Sequence, residues 1–220
     1  MNTISSPCLV RLRLAQLASH LVVALIALVV VGGATRVMEA GLACPDWPLC
    51  FGSLLPGGHL NVQVFLEWFH RLDAFLVGMA LLVQFFCSLL WYSKLPKWLP
   101  WFYFGMVLLV CFQAGLGALT VINLLPSTVV TAHLGLALFL VALMSGISQL
   151  LLSNSSLASP LWWRALGSIS LLSIFSQCLL GGRIATSWVA KRCLVGSDSC
   201  ILLDFHRTYA ASVAVFLLIF

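Results

Sequence analysis

The sequence predicts an all-α polytopic membrane helix bundle, a four-helix unit followed by part of a second, pseudo-symmetric unit. Three observations predict it. Of 220 residues, 62% are hydrophobic and only 8% charged, with a mean hydropathy of +1.10. Six stretches are apolar for about 20 residues or nearly so, the length that crosses roughly 30 Å of hydrocarbon. One series of motifs also occurs twice in the same order. A soluble domain carries about 25% charged residues, so this chain cannot coat a water-facing surface. The net charge of +5 is scattered rather than clustered, which argues against nucleic-acid binding. Disordered chains and secreted disulfide miniproteins are excluded by the same composition.

The first span runs from about Leu17 to Arg36, the second from Val64 to Trp91 and the third from Trp101 to Val121. The fourth covers Ser127 to Leu152 and the fifth Trp162 to Ile184; the last begins near Ile201 and is still apolar at Phe220. Lipid offers no partner to a backbone amide, so each is a helix. Arg11 and Arg13 precede the first span as in a signal peptide. Its end, Gly32-Gly33-Ala34-Thr35-Arg36, is echoed by Gly181-Gly182-Arg183, which argues for a retained helix.

Charge placement bears on orientation. One side of the spans holds Arg11, Arg13, Lys94, Lys97 and Arg164 without an acid; the other holds six basic residues and all six acids. Counting Lys and Arg alone is indecisive, and the N-terminal pair then dominates, placing the N-terminus in the cytoplasm. Cysteines agree. Cys44 and Cys50 share one outer loop, Cys193 and Cys200 another, and disulfides persist on an oxidising, periplasmic or lumenal face. Both pairs read as structural staples, or the first as an electron-passing pair near a reactive centre.

The repeat is Gly-Gly…Arg, paired cysteines, then Phe-His-Arg, at Phe69-His70-Arg71 and again at Phe205-His206-Arg207. Residues 1–155 then form the four-helix half and 156–220 the incomplete second half. About twenty apolar residues follow His70 but only fourteen follow His206. At ~1.5 Å per residue the last helix stops about 10 Å short, which would set a chain-end carboxylate in hydrocarbon. The expectation is a C-terminally truncated copy of an eight-span protein.

Ionisable groups inside a membrane default to functional suspects. His70, His133 and His206 each lie one to two turns into an even-numbered helix, at a shared depth. Bundle cores with facing imidazoles suit haem, and Gly32, Gly33, Ala34, Gly115, Gly117, Ala132 and Gly135 leave room for a flat macrocycle. The plainer reading is interhelical hydrogen bonding and close packing. Glu67 sits three residues before His70, one turn outward on the same face, where a carboxyl beside a haem edge would relay protons; the plainer reading is a pair with Arg71 at i+4. The matching position before His206 is Leu203, so chemistry is expected in the first half and a helper site in the second. Arg36, Arg71, Arg183 and Arg207 sit where propionates would reach the interface, and equally where arginines snorkel. His20 and His59 read as structural or solvated.

Gly-Gly-Ala-Thr-Arg (32–36), Cys44-Pro45-Asp46-Trp47-Pro48-Leu49-Cys50, Glu67-Trp68-Phe69-His70-Arg71, Gln113-Ala114-Gly115-Leu116-Gly117 and Thr131-Ala132-His133 together resemble the haem A synthase family over essentially the whole chain. The resemblance implies eight helices in two halves and oxidation of the C8 methyl of haem O to the formyl group of haem A, with haem b as cofactor. It implies that His70 and His133 hold the substrate haem with Glu67 catalytic, and that His206 is one axial ligand of haem b. It also implies partners: haem O synthase (a farnesyltransferase), the haem-copper oxidase assembly machinery, membrane lipid and room for a homo-oligomer. Two alternatives remain open from the residues alone, a bis-histidine electron-transfer membrane cytochrome and a membrane thiol oxidoreductase using Cys44 and Cys50.

Overall fold

The computed structural model describes residues 7–153, 159–187, 193 and 200–219. Among them are six helices long and apolar enough to cross a membrane: α1 (Pro7–Val37), α2 (Val62–Leu90), α3 (Leu99–Ile122), α4 (Ser127–Leu152), α5 (Leu161–Thr186) and α6 (Cys200–Ile219). No strand occurs among the described residues; the isolated bridge between Cys50 and Ser53 closes a loop. This is an all-α, multi-pass membrane protein.

α1 to α4 close into a ring, α1 touching both α2 and α4 and α3 bridging α2 to α4. α5 packs on α4 and grazes α1, and α6 packs on α5. The most extensive contact joins α1 to α4. Lipid tails are as apolar as leucine, so helices in a bilayer associate through close packing and polar contacts. α1 supplies both. Ala15 and Ala18 are fully buried, and Ser19 Oγ lies 2.7 Å from Ser148 Oγ on α4.

α1 is helical well before the apolar stretch that begins near Leu17. The reason lies across the bundle. Arg11 donates to the carbonyls of Leu151 (2.9 Å) and Leu150 (3.0 Å), and also to that of Ser153. The end of a helix leaves carbonyls without partners, and a guanidinium there also meets the negative pole of the dipole. The extra turns of α1 carry the cap of α4.

Burial is one-sided along the bundle. α3 buries Leu99, Pro100, Tyr103 and Met106, all in its first half, and α4 buries Leu140, Met144, Ile147, Ser148 and Leu151, all in its second half. With Leu14, Leu21, Leu25, Val77 and Leu81 they make one apolar core. That core fills the end of the bundle where α1 starts. At the opposite end, here called the loop end, the same helices leave their facing sides half covered. A polar knot locks the filled end: Gln84 Nε2 donates to Tyr103 Oη (2.6 Å) and to the Leu14 carbonyl (3.2 Å). Tyr103→Phe removes one acceptor from a buried amide, and the expected cost is about 1–2 kcal/mol. Unfolding followed by tryptophan fluorescence in detergent measures it. No measurable loss would mean that the knot is not holding three helices together.

Candidate functional site

The site is built on the first turns of α2. Val64, Glu67, Trp68 and Arg71 fall at i, i+3, i+4 and i+7, one helical stripe, and all four meet the loop between α1 and α2. Val64 packs with Cys44 and Cys50. The Cys44 amide donates to Glu67 Oε2 (2.8 Å), and Trp68 Nε1 donates to the Leu54 carbonyl (2.6 Å). Arg71 Nη1 donates to the carbonyls of Asp46 (2.6 Å) and Leu49 (2.5 Å). Its Nη2 is ion-paired with Glu67 Oε1. Glu67 is 4% exposed. A buried carboxylate survives when paired and hydrogen-bonded, and both conditions hold here. The spacing-based pair of Glu67 with Arg71 is therefore present, and the loop amide is a second partner that spacing could not reveal. The Arg71 guanidinium is committed to Glu67 and to loop carbonyls.

Cys44 and Cys50 form a disulfide with an S–S distance of 2.00 Å. Asp46 organises the inside of this ring, its carboxylate accepting from the amides of Phe51 (2.7 Å) and Gly52 (2.8 Å). Phe51 and Gly52 both have positive φ, 54° and 70°, which aims consecutive amides at one carboxylate. These bonds, that from Gly52 foremost, hold the Asp46 carboxyl below its ordinary value. The second cysteine pair, Cys193 and Cys200, flanks residues 194–199, which lie outside the described residues.

His70 leaves the loop stripe and turns to α1. A Cβ built on Gly32 would lie 2.9 Å from His70 Cε1. The same contact recurs twice: Gly117 of α3 against His133 Cε1 at 3.3 Å, and Gly181 of α5 against His206 Cε1 at 3.0 Å. Each imidazole thus rests edge-on against a glycine of the preceding helix. The Nδ1 atoms of all three rings are buried and unpartnered. His70 and His133 are close enough to interact electrostatically, so α2 and α4 bring them to one shared space at the loop end. His206 lies in the α5–α6 pair. Arg36 donates to the Ala185 carbonyl at the end of α5 (3.0 Å), tying the two pairs together. Arg183 ends α5 and Arg207 follows His206 on α6. His20 is exposed with Nδ1 2.7 Å from the Gln16 carbonyl, and His59 stacks on Phe51 at 4.2 Å.

These residues fit a haem. Among the described residues no group of three or more His, Cys, Asp or Glu could cage a bare ion. His70 and His133, near enough to interact, would supply two nitrogen ligands, and the remaining donors would come with the metal, as in a macrocycle. The loop-end faces of α3 and α4 are half covered and would leave room for it. The signal missed in the sequence is the glutamine one turn before two of the cradle glycines. Gln113 Nε2 donates to the His133 carbonyl and Gln177 Nε2 to the His206 carbonyl, each at 3.0 Å.

Two measurements test this geometry. Ala is the better helix former by about 1 kcal/mol, so Gly33→Ala, with nothing within 4 Å of the added carbon, is expected to be neutral or stabilising. Gly32→Ala must displace the His70 ring and is expected to cost about 1–3 kcal/mol; equal melting temperatures would dismiss the cradle. For Asp46 the folded value is depressed, so its contribution is complete above the ordinary value of 3.8 and is lost as pH falls below it. Amide exchange at Phe51 and Gly52 should accelerate on acidification through that range relative to the intrinsic rate, and Asp46→Asn should remove the pH dependence.

Comparison with known proteins extends the picture. The family described as COX15-CtaA, cytochrome oxidase assembly protein, matches residues 15–220. A heme A synthase of Shewanella oneidensis is 32% identical over 184 residues, covering 75% of this chain and 54% of the relative. Those of Sphingopyxis alaskensis and Bradyrhizobium diazoefficiens are each 30% identical, covering 76% and 74% of this chain and 59% and 55% of their own lengths. The chain thus spans little more than half the length of the curated relatives it matches. With the match running from within α1 to the last residue and taking in the loop, the glycine cradles and all three histidines, the chain belongs to the COX15-CtaA family of cytochrome oxidase assembly proteins.

Proposed function

We propose that this chain carries the haem-binding machinery of a haem A synthase, an oxidoreductase that converts the C8 methyl of haem O to the formyl group of haem A. Two successive hydroxylations, each a two-electron oxidation that requires an oxidant from outside this chain, would lead through the alcohol to a gem-diol that loses water. The observation that carries the reading is that His70 and His133 lie near enough to interact, each against a helix glycine, with Glu67 one turn outward bonded to a disulfide-closed loop. The names of the relatives support it. Haem O is the substrate, held by His70 and His133 in residues 1–155. Residues 156–220 would hold haem b through His206, and haem b when bound would supply a redox-active iron. Arg36, Arg183 and Arg207 lie toward the propionates. The N-terminus faces the cytoplasm and the cysteine loops face the periplasm or lumen. Haem O synthase supplies the substrate and haem-copper oxidase assembly consumes the product.

The protein's own residues do three things in this scheme. The two imidazoles fix the plane of the macrocycle so that one methyl is presented. The loop, pinned by Arg71 and Glu67, excludes water from the cleft. Glu67 holds a proton site whose two oxygens are already engaged, Oε1 by Arg71 and Oε2 by the Cys44 amide. A proton arriving there must weaken one of those bonds, so proton uptake and loosening of the loop are coupled.

Glu67→Gln keeps an acceptor for the Cys44 amide and removes the charge. In cells lacking other haem A-forming activity, mass analysis of extracted pigments should show at least a 100-fold loss of haem A, the lower range of general acid–base catalysis. The Soret band of the purified variant should survive, and should be lost in His70→Ala combined with His133→Ala. Unchanged haem A formation in Glu67→Gln would favour the electron-transfer cytochrome. A colourless wild type would end the haem assignment.

A further inference from the structure

The α3–α4 and α5–α6 pairs each contain a buried, unmatched amide oxygen and a buried, unmatched ring nitrogen. Gln113 Oε1 and Gln177 Oε1 are buried without partners, as are His133 Nδ1 and His206 Nδ1. In each pair the other end of the same amide is already bonded to that histidine: Nε2 donates to its backbone carbonyl at 3.0 Å. Each glutamine also sits four residues before the glycine that carries the ring, Gln113 before Gly117 and Gln177 before Gly181. The glutamine and the imidazole edge therefore share one helix face.

A neutral imidazole carries one proton. When Nε2 binds iron, that proton must sit on Nδ1, and ligating histidines almost always donate it to an acceptor that sets ring orientation and ligand basicity. Resting on the haem assignment above, we infer that Gln113 and Gln177 are positioning residues for the axial imidazoles, each offering its amide oxygen to the Nδ1–H of the histidine whose carbonyl its amide nitrogen already holds. The amide bridges backbone and ring of one residue and so fixes rotation about the side-chain bonds. The competing acceptor near His133 is the Gln113 backbone carbonyl, which already serves the α3 helix ladder. The α1–α2 pair is a built-in contrast. The residue four before Gly32 is Leu28, which offers His70 a backbone carbonyl and no side-chain amide. The substrate cleft is then asymmetric, one imidazole tuned by an amide and the other not.

The test uses the full chain carrying His206→Ala, purified in detergent and titrated with iron protoporphyrin IX, so that only the His70–His133 site reports. Gln113→Leu removes the acceptor, making the imidazole a weaker donor. Its reduction potential should rise above the parent's and haem should be held about tenfold or more weakly. Gln113→Glu keeps the length, gives up the donor to the His133 carbonyl and offers a stronger acceptor, and its potential should fall below the parent's. If Gln113→Leu retains too little haem to measure, the sign of the Gln113→Glu shift decides. Potentials of both variants within error of the parent, or displaced in the same direction, would overturn the inference and leave the glutamine as a packing residue. A colourless His206→Ala parent would instead count against the haem assignment itself.

Discussion

The contact between an imidazole edge and a bare helix backbone governs the loop end of this bundle. At Gly32, Gly117 and Gly181 the absent side chain is what the ring occupies, with contacts of 2.9, 3.3 and 3.0 Å to the position a Cβ would take. Two consequences follow. The ring is clamped by packing, and no side chain bonds its Nδ1: a backbone carbonyl lies beside His70 and His133. The neighbouring helices are also brought close enough that van der Waals contact, the principal attraction between helices in lipid, acts where no apolar core is available.

Such a contact needs a stiff support, and the other end of the bundle supplies it. There the ring of α1 to α4 is filled by leucines, Tyr103, Met106 and Met144. It is cross-linked by Gln84 and by Arg11 over the end of α4. The two ends divide the labour. One is packed to fix crossing angles, and the other is left half covered so that a large flat ligand can enter. A uniformly filled bundle would be more stable and would have no room for one.

Much of this was legible before the structure. Span number, the three histidines and the loop with Cys44 and Cys50 follow from hydropathy, depth and spacing, because period and length are local properties. The second partner of Glu67 was not legible. Its Arg71 contact is an i+4 spacing anyone can count, whereas its bond to the Cys44 amide closes a loop of more than twenty residues and depends on how the chain folds back. The stripe Val64, Glu67, Trp68 and Arg71 did contain the clue, since two ionisable residues on an otherwise apolar helical face imply that the face meets something polar. Gln113 stands in a motif that carries the resemblance but has no role of its own there, and Gln177 draws no notice, for a different reason. An amide in a transmembrane helix reads as generic interhelical glue, and only the orphaned atoms on either side give it direction.

The two halves differ in a way that the repeat makes interpretable. The α5–α6 pair keeps the cradle glycine, the histidine and the glutamine but has Leu203 where the first half has Glu67. The α1–α2 pair keeps glycine and histidine, gains the acid and loses the glutamine to Leu28. The glycine and the histidine are thus common to all three pairs, while acid and amide never occur around the same ring. Physically these two groups do different work. An amide that accepts from Nδ1 steadies a ligand and has no proton to give. A buried carboxylate tied to a guanidinium and to a loop amide is a site where one proton changes both charge and shape. On the proposed haem assignment, the separation would place the steady ligands at His133 and His206 and the responsive group beside His70, next to the loop closed by Cys44–Cys50.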